Sequence, residues 1–212
     1  MLFDYLRKHF LTETEFARRA GWAPEQLAQA IGAGIMPGHS YVLTGEWRVT
    51  SFVADQVQPV DQQLHLAAHL DWAAGLDKLD IRTEDAARGH FMERYDAEKR
   101  SFAASDLGRA AVTVVPQILE GFDAAHRVAT WHHFLNGVYG VCTRDGAPET
   151  IFRKQMGVVM VEALNGASVD PELLRQAVDF LDQAASDFAP HERAISSRQR
   201  CVTDIRAQLP TQ

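Results

Sequence analysis

Cysteine is almost absent: Cys142 and Cys201 are the only thiols in 212 residues, and no Cys-x-x-Cys or finger-type spacing links them. That excludes a disulfide-stapled scaffold and a cysteine-built metal or redox centre, and it fits two reduced thiols in a cytoplasmic, bacterial-type protein. Long apolar runs are missing too. The longest window, 156–164, is broken by Glu162 and is far too short to span a bilayer. The opening MLFDYLRKHF carries charge inside its only apolar stretch, so it is not expected to act as a secretory leader. Positive charge is scarce, with 21 Lys and Arg against 28 Asp and Glu and a net charge of −7, which argues against a protein that wraps nucleic acid but leaves room for one basic face. Neither a Gly-rich phosphate loop, a dinucleotide fingerprint, a Gly-x-Ser-x-Gly elbow, a complete paired metal motif nor an internal repeat is present. What remains is an ordinary globular chain, 46% hydrophobic, long enough for one good core or two small ones.

Periodicity and punctuation predict a mostly α protein. A short helix over 4–10 is followed by Thr12 and Glu15 in capping-box spacing, a helix to Ala20 and a stop at Gly21. Pro24 starts a third helix, closed by Gly32 and Gly34, and two β-prone runs, 41–44 and 47–53, predict a hairpin turning at Gly45-Glu46. Residues 54–61 read as a connection. Beyond it the remainder reads as helical over 62–79, 83–104, 106–115, 122–139, 148–164, 170–187 and from Pro190 onward. The expected organisation is a small N-terminal module over 1–55 and a helical bundle over 62–212.

The run Leu11-Thr12, Phe16 to Gly21, Leu27, Ile31, Gly34-Ile35-Met36-Pro37 and Ser40-Tyr41 resembles the winged helix-turn-helix of MerR-type proteins. The resemblance implies a DNA-reading helix over 24–31, where Gln26 and Gln29 are the readers and Arg18, Arg19 and Arg48 the phosphate contacts. That helix has no Lys or Arg, so a helix-turn-helix reused for packing is the competing expectation. Over its whole length the chain also resembles an uncharacterised family of bacterial proteins that joins a MerR-like module to a helical part. Met36-Pro37, FLNGVYGVCT, Pro148-Glu149 and PHERAISSRQR carry that likeness. Some members are loosely associated with small-molecule biosynthesis.

The densest chemistry lies in WHHFLNGVYGVCTRDGAPETIFRK, read as a helix end, a glycine turn and a new helix start. Val128, Trp131, Leu135 and Val138 predict a buried stripe there, with His132 at its edge and His133 nearly opposite. Ile151, Phe152, Val158, Val159 and Met160 are the expected core anchors of the following helix, on which Glu149 and Arg153 stand at i, i+4 spacing. His65 and His69 stand four apart on the helix expected over 62–79, on a stripe with Trp72, Leu76 and Leu79. That spacing suits two metal ligands, or two histidines bonded at a helix interface. On the last helix His191 and Arg198 fall on the expected core face with Ile195, Val202, Ile205 and Leu209. An inward arginine needs a carboxylate or an anionic ligand.

The leading expectation is a cytoplasmic binder of, or enzyme acting on, an anionic or amino-acid-like small molecule. Arg198, Arg144, Lys154, Arg193, Ser197 and His133 would hold it, and His191, His132 and Glu149 would do acid–base work. The alternatives are a ligand-responsive MerR-like regulator and a non-catalytic dimerising adaptor. The implied partners are a small molecule first, DNA second, a second copy of the chain third, and no membrane; the cofactor stays unknown.

Overall fold

A computed structural model describes residues 1–166 and 170–209. The expected bundle also takes in residues 167–169 and 210–212, which lie outside that description. The first helix, α1 (Leu2–His9), stops because Phe10 turns extended and starts β1 (Phe10–Thr12). Thr12 Oγ1 then accepts a hydrogen bond from the Glu15 N–H at 3.4 Å and opens α2 (Glu13–Ala20), which Gly21 closes at φ +74°. The Glu15 carboxylate does not complete a capping box; it turns to Arg18 and Arg19 instead, 2.7 Å from each. Pro24 starts α3 (Pro24–Gly32), and the Gln26 side-chain oxygen accepts from the Ala23 N–H at 2.7 Å.

The hairpin is longer than expected. Strands β2 (Tyr41–Thr50) and β3 (Asp55–Leu66) run antiparallel around a turn at 51–54, and β3 lies between β1 and β2 in the three-stranded sheet. The expected turn at Gly45-Glu46 sits in mid-strand opposite Val60 and Pro59. All of the supposed connection over 54–61 except Ala54 belongs to β3, as do the first residues of the expected helix over 62–79. Gln, Asp and Pro in that run read as a linker. Pro59 is nonetheless tolerated, because β3 has no outer neighbour there: β1 reaches only Leu64, His65 and Leu66.

A 3-10 turn, Ala67–His69, leads into α4 (Leu70–Lys78), then α5 (Glu84–Ala104), α6 (Asp106–Val114) and α7 (Ala124–Leu135). Side chains of Thr83, Ser105 and Asp123 cap the last three. The single helix expected over 122–139 is split. It stops at Leu135, passes through Gly137 at φ +70°, and resumes as the short α8 (Val138–Cys142). Then come α9 (Pro148–Leu164) and α10 (Pro171–Ala184), the latter capped by Asp170 and three residues shorter than expected. The last expected helix is instead a 3-10 turn Arg193–Ile195, a π-helical turn Gln199–Thr203 and α11 (Asp204–Gln208).

One core runs through both parts. Leu11, Phe16, Leu27 and Met36 join Trp72 and Leu76, and these join Phe91, Trp131, Phe134, Phe152, Met156 and Leu181. Trp72 is the link: its indole N–H donates to the Ile35 carbonyl at 2.8 Å and its ring lies edge-on to Phe134 at 5.0 Å. The central helix α9 packs on both α5 and α10, and Gly157 is what lets α10 approach, since a Cβ there would stand 2.8 Å from Leu181 Cβ. Several expected core positions face outward: Val128, Val138, Val159, Leu79 and Ile195, the last 88% exposed. Of the expected stripe Trp131 is buried, and Thr130 and Phe134 join it on the buried side of α7.

Candidate functional site

The glycine-rich stretch that dominates the sequence is the seam between the N-terminal sheet and the bundle. Gly137 lies against the backbone of Gly38 and His39, Gly140 against Ser40 and Leu66, and Gly146 against His69. A Cβ on any of the three would come within 2.3 Å of a neighbouring atom. Hydrogen bonds close the seam: Gly38 N–H to the Leu135 carbonyl at 2.8 Å, and Ser40 Oγ to the Gly137 carbonyl at 2.8 Å. On its other side the same stretch holds the segment after α10. The Arg144 N–H donates to the Ala184 carbonyl at 3.0 Å and Ser186 Oγ to the Val141 carbonyl at 2.6 Å.

Three of the expected anion-holding residues converge on that segment. Arg144 donates to the Asp182 carbonyl at 3.0 Å, Arg193 to the carbonyls of Asp187 and Phe188, and Arg198 to that of Ala185 at 3.5 Å. These carbonyls belong to the C-terminal end of α10 and the turn after it, where the helix dipole is negative. Arg198 is turned inward and has found carboxylates: Asp182 Oδ1 at 2.5 Å and Asp187 Oδ1 at 3.9 Å. The shorter approach is close in distance but misaligned for a hydrogen bond, so it acts as an ion pair. Asp182 is also bound by Arg206 at 2.7 Å. Burial works to raise its carboxyl pKa, but the two guanidinium groups hold it below the ordinary value. The arginines therefore fasten a helix end. Phe188, buried in that turn at φ +53°, is held in a conformation costly for a bulky residue.

Beside this turn lies a cavity of about 260 Å³, built from both parts of the chain. Helix α1 supplies Tyr5, Lys8 and His9, β3 supplies Leu66, and the seam supplies Gly140, Thr143 and Arg144; Ser186 and Asp187 close it. Burial pushes the Tyr5 hydroxyl pKa up and the His9 pKa down, with Lys8 adding to the latter. Among the described residues neither Lys8 nor Arg144 joins an ion pair, in contrast to most other arginines of the chain. Lys8, His9, Tyr5 and Asp187 were not singled out by sequence reasoning. Their signal, a polar face on the first helix and a carboxylate after α10, takes on meaning only once the fold brings them together.

The other expected site residues are dispersed. Glu149 does not pair with Arg153. It takes a two-pronged bond from Arg94 of α5 at 2.7 and 2.8 Å, which holds its carboxyl low against the opposing effect of burial, while Arg153 binds Glu98 at 2.6 Å. His132 and His133 are exposed on α7, and His191 faces solvent 3.7 Å from Glu192. Lys154 and Ser197 are half-buried outside the cavity lining. His65 is on β3 and His69 in the 3-10 turn, so the helical i, i+4 geometry for a metal does not exist. Among the described residues no cluster of three or more His, Cys, Asp or Glu is placed to hold a metal ion. Both rings are buried, and none of their four nitrogens has a hydrogen-bond partner among the described residues. Gln26 and Gln29 line a cavity of about 330 Å³ with Trp22, Asp77 and Arg82, and Arg48 is paired with Asp55. Both cysteines are free, and no described helix is long and apolar enough to cross a membrane.

No curated protein and no solved structure matches the chain. The model of DUF6058, a family of unknown function, matches residues 87–210, more than half of the sequence. The chain belongs to the DUF6058 family.

Proposed function

We propose that the protein binds a small anionic or amino-acid-like compound in the cavity at the seam. One observation carries this: Lys8 and Arg144, two cations without ion-pair partners among the described residues, line one cavity with the Asp187 carboxylate. Such a set suits a zwitterion, with a carboxylate between Lys8 and Arg144 and an ammonium at Asp187. Tyr5 adds a hydroxyl for orientation, while those of Thr143 and Ser186 donate to the Tyr139 and Val141 carbonyls and hold the wall in place. His191, His132 and Glu149 do not line this cavity, so the reading is binding rather than catalysis. A link to small-molecule biosynthesis fits a site of this size and polarity.

The test is a thermal-shift screen of the full chain with the twenty amino acids and small mono- and dicarboxylates. A true ligand at about 100 times its Kd adds about 2.7 kcal/mol, or roughly 5–10 °C in Tm for a chain of this length. The shift should vanish in Lys8→Ala and Arg144→Ala. A shift that survives both changes, or a screen in which no compound stabilises the protein, would overturn the assignment.

A second reading takes the N-terminal part as a MerR-type winged helix-turn-helix. It is supported by the order α1, β1, α2, α3, β2, β3 and by the left-handed Gly21 between α2 and α3. DNA binding by it is opposed by charge. Residues 1–66 hold five Lys and Arg against seven Asp and Glu, a net of −2, and Arg18, Arg19 and Arg48 are already paired. We read it as a packing unit. Anisotropy of labelled duplex DNA with a steep salt dependence would reverse that choice.

A further inference from the structure

We infer that the β2–β3 ribbon is a homodimerisation arm, and that its occupant is the same ribbon of a second copy. Beyond the root of the sheet the two strands run unsupported to the turn at 51–54, and a lone two-stranded ribbon is marginal in water. Cross-strand partners share a face, so the register sorts the side chains. Glu46, Arg48, Asp55 and Asp61, the four charged residues between Tyr41 and Leu64, all fall on one face. The opposite face has no charge: it shows Leu43, Trp47, Val49 and Val60, with Gln56, Gln58 and Gln62 between them.

At its root this uncharged face is only partly covered, since the half-buried Tyr41 and Leu43 pack on Leu6, Phe10 and Leu64. Farther out it is bare. Trp47 is 43% exposed and Val49 63%, while Phe52 in the turn is fully exposed with Val53 beside it. Single exposed apolar residues are ordinary, but a continuous uncharged strip on a projecting arm is an interaction surface.

The chemistry selects the partner. A nucleic acid is repelled, because the ribbon has one arginine against three carboxylates. An identical face matches without desolvating any charge, and glutamine amides, each both donor and acceptor, can pair with glutamines of the second copy. A two-fold axis across the ribbon lays the Phe52 tip of one copy over the Leu43 root of the other, and the reverse contact follows by symmetry. Leu43 to Phe52 spans about 30 Å at roughly 3.3 Å per residue. Two such faces with their tips bury on the order of 1,000 Å², where specific interfaces begin.

Sedimentation of the full chain from about 1 to about 100 µM, the range over which mass action reveals such an equilibrium, tests this. The wild type should form dimers. Val49→Lys and Trp47→Glu, which put charge on the uncharged face, should weaken association by at least about 30-fold, as loss of a central anchor does. Val57→Lys, on the charged face, should leave it unchanged. Circular dichroism and Tm report folding, which an exposed position on the arm should not disturb. A monomeric wild type at the highest concentration, or a dimer indifferent to Val49→Lys and Trp47→Glu, overturns the inference.

Discussion

Lowering the pH from 7.5 to 5.5 should cost this protein much of its stability through two histidines. His65 and His69 are buried at 0% and 1% exposure, and among the described residues neither ring has a hydrogen-bond partner for either nitrogen. Around them stand Phe16, Phe134 and His39. Burial, reinforced by repulsion from His39 at His65 and from His65 at His69, pushes His65 down to about 4 and His69 to about 3 from an ordinary 6.5. With folded values below the unfolded one, the contribution is complete above 6.5. It is lost as pH falls, because the unfolded chain takes up protons that the folded chain refuses. Each group costs up to about 1.4 kcal/mol per pH unit, so the pair should remove about 2–3 kcal/mol by pH 5.5. That is a large share of the 5–15 kcal/mol typical of a folded domain. Urea denaturation at the two pH values measures it. The comparison is the double variant His65→Leu, His69→Leu, which deletes the orphan nitrogens and should flatten the profile by that amount. If wild type and variant lose stability in parallel, the histidines are protonated or bonded in the native state and the reasoning fails.

Gly146→Ala forces both a left-handed backbone at φ +67° and a Cβ 2.2 Å from His69 Nε2. It should cost at least about 2 kcal/mol, seen as a lower urea midpoint with an unchanged slope. Gly157→Ala, against Leu181, should cost about 1–3 kcal/mol by thermal unfolding. Arg198→Leu should leave any ligand-induced Tm shift in place while Arg144→Ala erases it, because Arg198 is bound to Asp182 and Arg144 pairs with no carboxylate among the described residues.

Helix starts were legible because capping chemistry is local. Thr12, Thr83, Asp123 and Asp170 cap through their own side chains to backbone two or three residues on, and Pro24, Pro148 and Pro171 open helices wherever they stand. The long ribbon was not legible. Its stability depends on cross-strand partners up to 23 residues away, from Thr50 with Asp55 to Tyr41 with Leu64, and its uncharged face looks unremarkable until the register is known. Of the cavity's charged residues only Arg144 stands out in the sequence, while Arg193 and Arg198 converge on the same turn and fasten it. Their partners, main-chain carbonyls at the end of α10, leave no mark in a sequence, and Lys8 and Asp187 meet only through the fold. Glu149 has a local i, i+4 neighbour in Arg153, but Arg94, which another helix delivers, binds it with two-pronged geometry that no local spacing reveals.

The Trp72 link sets a minimum size for the unit that folds. The family's matched region begins at residue 87, inside α5, yet Phe91 and Phe134 of that region pack on a tryptophan that precedes it and is itself anchored to Ile35. Cut away from residues 1–86, the bundle would present that aromatic face to water. A relative that exchanges its N-terminal part must therefore bring a replacement wall, with its own large side chain to fill the space that Trp72 occupies and small residues on the seam to let the wall approach.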